Sequence, residues 1–178
     1  LCSLCIRQIQ SGRTRIDGVP VFVTSLDKSF VQIVVVWKDQ RARYLTEPLA
    51  RCVARVVPQS ASGLLVPIPA RQVSLHQRGW SPLQDVSMAL SKESNLVPDF
   101  TLLGWRRQPL EQRTLTNQQR NKNMEHAFSV SRSEKRAVWL IDDVMTSGAT
   151  LRWAIAALRN KDVCVQGCLV LAAPRIRR

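Results

Sequence analysis

The stretch that most constrains the fold is AVWLIDDVMTSGATLRWAIAAL, which runs from Ala137 to Leu158. Its apolar residues Val138 to Ile141 predict a short buried strand. Two adjacent acids follow, then the small-residue loop TSGAT, and then TLRWAIAALRN, which is typical of a helix. In an α/β domain the end of a parallel strand is where ligands bind, so the two acids would project into that crevice and not into the core.

Other segments fit the same class of fold. The predicted strands are FVQIVVVW (30–37), GLLVPIP (63–69) and VCVQGCLVLAA (163–173). The predicted helices are TEPLARCVARVV (46–57), with Thr46 as N-cap, and SPLQDVSMALSKES (81–94), which opens with Ser81 and Pro82. Because strands alternate with helices and several strands are apolar on both faces, we expect a mainly parallel central sheet with flanking helices.

The polar segment 104–123, GWRRQPLEQRTLTNQQRNKN, interrupts this pattern and is rich in Gln, Asn and Arg. Two interpretations stay open for it. It is either a loop that closes over a ligand or an exposed polar excursion.

The charge and length of the chain limit the number of domains and the kinds of ligand that we expect. The 178 residues suit one well-buried domain, and the net charge of +13 predicts attraction to polyanions. Nucleic acid and phosphorylated metabolites both satisfy that prediction. No apolar run is long enough to cross a bilayer and no signal peptide is recognisable, so we expect a soluble cytoplasmic protein without membrane insertion.

The five cysteines are an odd number, which favours a reducing compartment over a disulfide framework. Cys2 and Cys5 have the Cys-x-x-Cys spacing of half a zinc site. They are either zinc ligands or free thiols of a remnant. We therefore divide the chain into an N-terminal Cys-containing segment, 1–20, and a main domain, 21–178. Cys164 and Cys168 are predicted to face the core from one strand.

The acid pair and the loop after it suggest one ligand. Asp142 and Asp143 follow the predicted strand, and residues 146–150 can present backbone N–H groups and the start of a helix to an anion. A ribose 5-phosphate would place its phosphate in the loop and its vicinal hydroxyls on the acids. The loop lacks the Walker A sequence. The alternative is that the two acids only cap a strand-to-helix turn.

The segment VWLIDDVMTSGAT resembles the phosphoribosyl-pyrophosphate-binding motif of type I phosphoribosyltransferases. Nearly the whole chain further resembles ComF-type proteins of that superfamily, which are associated with bacterial DNA uptake. The features that carry this resemblance are the N-terminal cysteines, Lys38, VPIP (66–69), RGW (78–80), Gln112, Arg120 with Asn123, and AF (127–128). The departures are Ser81 and Pro82 in place of the family's Asn-Gln, and Val73 and Ser74 in place of its basic pair.

The resemblance implies a type I phosphoribosyltransferase-like fold with a flexible hood and a truncated zinc-ribbon-like N-terminal segment. It implies that phosphoribosyl pyrophosphate binds with Mg²⁺ and that Asp142 and Asp143 act as the catalytic acids. The residues implied for the 5′-phosphate are Thr146, Ser147, Gly148, Ala149 and Thr150. Those implied for pyrophosphate or the hood are Lys38, Arg78 and Arg120, although Lys38 is otherwise read as a solvated lysine and Arg78 as packing on Trp80.

The protein is then a phosphoribosyltransferase, a glycosyltransferase of pentosyl groups, whose acceptor the sequence does not identify. The alternative function is a non-catalytic component of DNA uptake or natural transformation that binds single-stranded DNA and contacts uptake or recombination proteins. The positive charge and the candidate stacking residues Trp37, Trp80 and Trp105 favour that alternative. Trp139 and Trp153 are predicted to lie in the core instead.

Overall fold

The computed structural model describes residues 9–107 and 125–174. Its strands are β1 (Gly12–Ile16), β2 (Val19–Ser25), β3 (Ser62–Pro67), β4 (Asn95–Pro98), β5 (Leu103–Trp105), β6 (Phe128–Val130), β7 (Val138–Val144) and β8 (Val165–Ala172). Its α-helices are α1 (Lys28–Asp39), α2 (Thr46–Ala54), α3 (Gln72–Arg78), α4 (Pro82–Ser91) and α5 (Ala149–Arg159), and Arg43–Leu45 forms a 3-10 turn.

Six of these strands form one sheet in the order β1-β2-β8-β7-β3-β4. Every neighbouring pair is parallel except β1 and β2. The central strands β3, β7 and β8 are apolar over most of their length because both of their faces are covered. The predicted α/β fold, with a mainly parallel central sheet and flanking helices, is confirmed. The carboxyl ends of the parallel strands meet at one edge of the sheet.

An antiparallel hairpin that the sequence analysis missed forms one end of the sheet. β1 pairs with β2 through a two-residue turn, Asp17-Gly18, whose φ angles are 49° and 81°. Positive φ at both positions is the geometry that suits a tight hairpin, and Asp-Gly supplies it at low cost. β1 lies before the domain boundary predicted after residue 20, yet it belongs to the same sheet as the rest. Cys2 and Cys5 lie outside the described residues.

The predicted strand over residues 30–37 is wrong, because this segment forms helix α1. Its β-branched residues favoured a strand, but Phe30, Val34 and Trp37 recur at helical spacing and are the buried side of the helix. Asp27 caps the helix, since its carboxylate accepts a hydrogen bond from the Ser29 N–H at 2.9 Å. Packing of one apolar face therefore outweighs the β propensity of the run.

The predicted helix over 46–57 is confirmed as α2, which begins at Thr46 and ends at Ala54. Its N-cap is Leu45, so the prediction that Thr46 is the cap is wrong. The Thr46 hydroxyl instead accepts a hydrogen bond from the indole N–H of Trp37 at 3.0 Å, which joins α1 to α2. The predicted helix that opens with Ser81 and Pro82 is confirmed as α4.

The last strand, β8, confirms the prediction for 163–173 with slightly narrower bounds. Cys168 is buried as predicted, but Cys164, one residue before the strand, is exposed. Residues 167–172 are all buried because both faces of the strand are covered there, and the register between β7 and β8 shifts between Val138 and Trp139. The prediction that the two cysteines share a core-facing side is therefore wrong.

A second, two-stranded sheet was also missed. β5 and β6 pair antiparallel at the two ends of the polar segment, and Trp105 stacks on Phe128 with ring centroids 4.5 Å apart. Most of the segment predicted to form a hood, residues 108–124, lies outside the described residues. The described residues at the two ends of this segment thus form a short ribbon, and Trp105 of this ribbon lines the cleft at the carboxyl edge of the main sheet.

Candidate functional site

A cleft of about 620 Å³ opens at the carboxyl ends of β3 and β7. Its position is the one expected for a ligand site in an open parallel sheet. The residues that line it are Lys38, Asp39, Arg41, Ile68, Pro69, Ala70, Arg71, Ser74, Gln77, Arg78, Ser81, Pro82, Leu83, Trp105, Asp142, Asp143, Val144, Thr146 and Thr150. The cleft thus brings together the predicted acids, the two threonines of the predicted loop and two of the predicted cations.

The acid pair forms the floor of this cleft at the end of β7. The Asp143 N–H donates a hydrogen bond to Asp142 Oδ1 at 2.9 Å, and the Val144 N–H donates one to Asp143 Oδ1 at 2.7 Å. One oxygen of each acid is therefore held by the backbone of the next residue. The orientation of both carboxylates is set by the strand end itself.

The two acids have opposite pKa shifts. Burial raises the pKa of Asp142 to about 7, and the neighbouring charge of Asp143 adds to the rise. Burial acts in the same direction on Asp143, but the ammonium of Lys38 outweighs it and lowers the pKa of Asp143 below its usual value. At neutral pH the site therefore holds one ionised acid and one acid close to its titration midpoint.

Lys38 lies in the last turn of α1 and donates a hydrogen bond to Asp143 Oδ2. The carboxylate charge of Asp143 raises the pKa of Lys38 in spite of burial, so the pair is ionic. The side chains of Lys38 and Asp143 are 30% and 15% exposed. The lysine is therefore a half-buried partner of the acid pair, not a freely solvated surface residue.

Arg78, in the last turn of α3, lines the same cleft and donates a hydrogen bond to Asp39 at 2.8 Å. The guanidinium that lies over the Trp80 ring is that of Arg43, 5.2 Å from the ring centroid. Two further cations of the cleft wall, Arg41 and Arg71, were missed by the sequence analysis. Nothing in their local sequence singles them out, because they come together only where α3 meets the end of α1 through the hydrogen bonds of Arg41 to Gln77 and of Arg78 to Asp39.

The loop after the acids begins helix α5. Gly148 is the N-cap and has a φ of 72°, a conformation that glycine adopts without strain. The Ala149 N–H donates a hydrogen bond to Ser147 Oγ at 3.4 Å. The first turn of an 11-residue helix thus begins at the cleft, with the Thr150 side chain in its wall. A helix N-terminus in this position favours an anion.

The tryptophans are arranged differently from the stacking surface that the sequence suggested. Trp37 is fully buried and Trp80 is 9% exposed, so the prediction that they are exposed stackers is wrong. Trp105 lines the cleft, and its indole N–H donates to the backbone oxygens of Pro69 and Ala70 at 3.1 Å each. Trp139 is buried in the core as predicted. Trp153 is partly buried against the core, in line with the prediction for it.

Across residues 9–107 and 125–174, no three His, Cys, Asp or Glu side chains are placed to hold a metal ion by themselves. Cys2, Cys5 and Arg120 lie outside the described residues, so the zinc site and the hood arginine stay predictions. Within the same described ranges, no helix has the length and apolar character needed to cross a membrane.

The fold and the site together define an α/β protein with an acid pair, a small-residue loop and basic side chains at the carboxyl edge of its sheet. No protein-family model and no curated protein matches the chain. The chain is similar to the solved adenine phosphoribosyltransferase from Leishmania donovani, with 12% identity, a TM-score of 0.47, and coverage of 91% of this chain and 86% of that one. It is also similar to a hypoxanthine phosphoribosyltransferase from Staphylococcus aureus, with 15% identity, a TM-score of 0.32, and coverage of 81% and 62%.

Proposed function

We propose that the cleft binds phosphoribosyl pyrophosphate with Mg²⁺ and that the protein transfers or exchanges the phosphoribosyl group with an acceptor. One observation carries the proposal: the acid pair, the loop before α5 and several cations line one cleft. That combination suits a ligand with a vicinal diol and phosphates at both ends. It agrees with the resemblance of VWLIDDVMTSGAT to the family's binding motif.

The charges of the cleft suit such a ligand. Four cationic side chains, Lys38, Arg41, Arg71 and Arg78, line it against three carboxylates, Asp39, Asp142 and Asp143. Because Asp142 has a pKa of about 7, part of the acidic charge is absent at neutral pH. The wall therefore carries excess positive charge beside an anion-favouring helix start, which is what a polyphosphate requires.

Mg²⁺ fits this site if the ligand supplies most of its oxygen ligands. Mg²⁺ prefers octahedral oxygen coordination and is commonly held by one or two carboxylates plus substrate phosphates. Asp142 and Asp143 provide carboxylates of this kind. The bound ion would neutralise charge on the pyrophosphate leaving group.

Different residues of the chain would bind different parts of the ligand. The loop 146–150 would hold the 5′-phosphate, and Asp142 and Asp143 would accept hydrogen bonds from the ribose hydroxyls. In the reaction, the bond from C1 to the pyrophosphate oxygen breaks and its electron pair leaves with pyrophosphate. The acceptor's lone pair then bonds to C1 and the acceptor loses a proton. Lys38 and Arg78 would hold the pyrophosphate as it departs.

The sequence identifies no acceptor. Membership of the ComF-type family, a role in DNA uptake and a cytoplasmic location remain predictions from the sequence. The single-stranded-DNA alternative loses two of its three candidate stacking residues, because Trp37 and Trp80 are buried. We therefore rank ligand binding in the cleft as the first function to test.

The test is calorimetric titration of phosphoribosyl pyrophosphate with Mg²⁺ into the wild type and the double variant Asp142→Asn, Asp143→Asn. We expect the double variant to lose at least about tenfold in affinity, since each lost charge-assisted hydrogen bond is worth about 1.5 kcal/mol or more. The matched control is Asp27→Asn with Asp162→Asn, which makes the same change at two exposed acids away from the cleft.

The control should bind as the wild type does. Wild-type protein that does not bind, or a double variant that binds equally well, would overturn the assignment of the site. Release of pyrophosphate in the presence of a panel of nucleobases and amines then tests whether transfer occurs and which acceptor supports it.

A further inference from the structure

The loop that would hold the 5′-phosphate has two different sides. Thr146 and Thr150 line the cleft. Met145, Gly148 and Ala149 are instead buried. The loop thus turns its threonines to the cleft and its Gly148 backbone to the interior of the protein.

Ile16, the last residue of β1, packs against the buried side of this loop. A Cβ on Gly148 would lie 2.9 Å from Ile16 Cδ1, 3.6 Å from Ile16 Cγ1 and 3.7 Å from the sulfur of Met145. Ile16 and Met145 are each 6% exposed. The Ile16 side chain therefore occupies the space beside the Gly148 backbone that a side chain at position 148 would need. Ile16 does not line the cleft, so its effect on a ligand passes through the loop.

The hairpin turn that follows Ile16 is joined to helix α5, which continues the loop. Arg152 Nε donates a hydrogen bond to Asp17 Oδ1 at 3.4 Å, and Arg159 donates one to the Asp17 backbone oxygen at 3.0 Å. The Arg152 N–H also donates to the Gly148 backbone oxygen at 2.9 Å. The turn is therefore bonded to α5 near both ends of the helix, and Ile16 is held against the residue that caps the same helix.

We propose that Ile16 is a positioning residue for the 5′-phosphate: its side chain packs against Gly148 and keeps the backbone N–H groups of the loop 146–150 in the conformation that binds the phosphate. This inference rests on the proposed function of the cleft. A loop binds an anion when several N–H donors point at one place, and their directions depend on the backbone angles of each loop residue. Gly148 has a φ of 72° and, as a glycine, many alternative conformations. A bulky neighbour removes that freedom before the ligand binds, so less ordering entropy is lost on binding.

The consequence is that a smaller side chain at position 16 weakens the binding of one half of the ligand. The smaller side chain leaves space beside Gly148, and the loop can then adopt conformations in which its N–H groups diverge. Lys38 and Arg78 would bind the pyrophosphate half, and they belong to α1 and α3. The substitution should therefore leave the binding of pyrophosphate unchanged.

The test is calorimetric titration of phosphoribosyl pyrophosphate and of pyrophosphate, each with Mg²⁺, into the wild type, Ile16→Ala and Ile16→Val. We expect Ile16→Ala to lose about tenfold in affinity for phosphoribosyl pyrophosphate, since small displacements of binding groups have effects of this size or larger. Its affinity for pyrophosphate should stay within about twofold of the wild type, because sites without shared partners couple only weakly. Ile16→Val removes only Cδ1, so it should lose less affinity, and it is the variant to use if Ile16→Ala does not fold.

The matched control is Leu96→Ala. It removes the same number of carbon atoms as Ile16→Ala, from a side chain that is 1% exposed in β4, at the opposite end of the sheet from β1. Both truncations of buried side chains should lower the free energy of unfolding, which urea denaturation measures for each variant. Leu96→Ala should nevertheless bind both ligands as the wild type does, so a loss of stability by itself would not explain a loss of affinity in Ile16→Ala.

The outcomes separate the two proposals. If wild-type protein does not bind phosphoribosyl pyrophosphate, both the proposed function and the role of Ile16 are refuted. If it binds, and the Ile16 variants bind phosphoribosyl pyrophosphate equally well, only the role of Ile16 is refuted. The role of Ile16 is also refuted by equal losses for the two ligands, or by an equal loss in Leu96→Ala, because either result indicates a general disturbance of the fold. A loss confined to phosphoribosyl pyrophosphate and to the Ile16 variants supports it.

Discussion

Substitution of Asp142 by Asn tests the electrostatics of the site through the stability of the folded protein. Asp142 is 8% exposed, and its pKa rises from 3.8 to about 7 because burial disfavours the charged form. Asn has nearly the same shape, and its amide oxygen can still accept the hydrogen bond that the Asp143 N–H donates at 2.9 Å. The substitution therefore removes the titration and retains the local geometry.

The size of the effect follows from linkage. Between about pH 4 and pH 7 the folded protein keeps the Asp142 proton, whereas the unfolded chain has lost it. The unfolded state then binds fewer protons, so the free energy of unfolding falls as the pH rises through this window. A pKa rise from 3.8 to about 7 corresponds to about 4 kcal/mol, because each pKa unit is worth about 1.4 kcal/mol. An Asn side chain at position 142 does not titrate, so the free energy of unfolding of the Asn variant does not fall in this way as the pH rises.

The assay is urea denaturation of the wild type and Asp142→Asn at intervals from pH 4 to pH 8. The free energy of unfolding of the variant, relative to that of the wild type, should rise by up to about 4 kcal/mol across this range and level off above pH 7. Asp143→Asn is the opposing control. Lys38 lowers the pKa of Asp143, so the Asp143 charge stabilises the fold at neutral pH and this contribution fades in acid. The free energy of unfolding of Asp143→Asn should therefore be lower than that of the wild type at neutral pH, and the difference should shrink as the pH falls. A relative stability of Asp142→Asn that does not change with pH would refute the reasoning.

Two further substitutions test the loop and the contact between helices by urea denaturation. Gly148→Ala should lower the free energy of unfolding by about 2 kcal/mol, because φ is 72° and the added Cβ would lie 2.9 Å from Ile16. Gly18→Ala has a φ of 81° but open space around the added Cβ, so it should lower the free energy of unfolding by only about 1 kcal/mol. Equal losses would show that the contact with Ile16 does not matter. Thr46→Val should cost about 1–3 kcal/mol, because it leaves the Trp37 N–H unsatisfied. In a Trp37→Phe background, Thr46→Val should cause almost no further loss in the free energy of unfolding. If the losses from the two substitutions simply add, this hydrogen bond does not contribute.

The strand, the acids and the following helix were predicted from the sequence because each depends on neighbouring residues. Val138 to Ile141 is apolar throughout, so it had to be buried on both faces, and the acids after it had to leave the core. The position of the site at a strand end follows from these local facts. The N-cap glycine of α5 is a local feature of the same kind.

The error at α1 has a different origin. Residues 30–37 contain the β-branched run that favours a strand, and they also contain Phe30, Val34 and Trp37 at helical spacing. Both patterns are present in the sequence, and propensity alone cannot choose between them. The contact between Trp37 and Thr46 of α2 is part of what makes the helix the better solution. Such a contact becomes visible only when two elements are packed together.

The sequence by itself determined the class of the fold and the chemical character of the site. Alternating elements required an α/β arrangement, and the order of apolar run, acids and small loop placed oxygen acceptors beside an anion-favouring helix start. Only the tertiary structure decided which cations face those acids. Lys38 meets Asp143 across 105 positions, and Trp37 and Trp80 are withdrawn from solvent. The physical reason is that burial and ion pairing depend on distances between elements, which local sequence patterns do not encode.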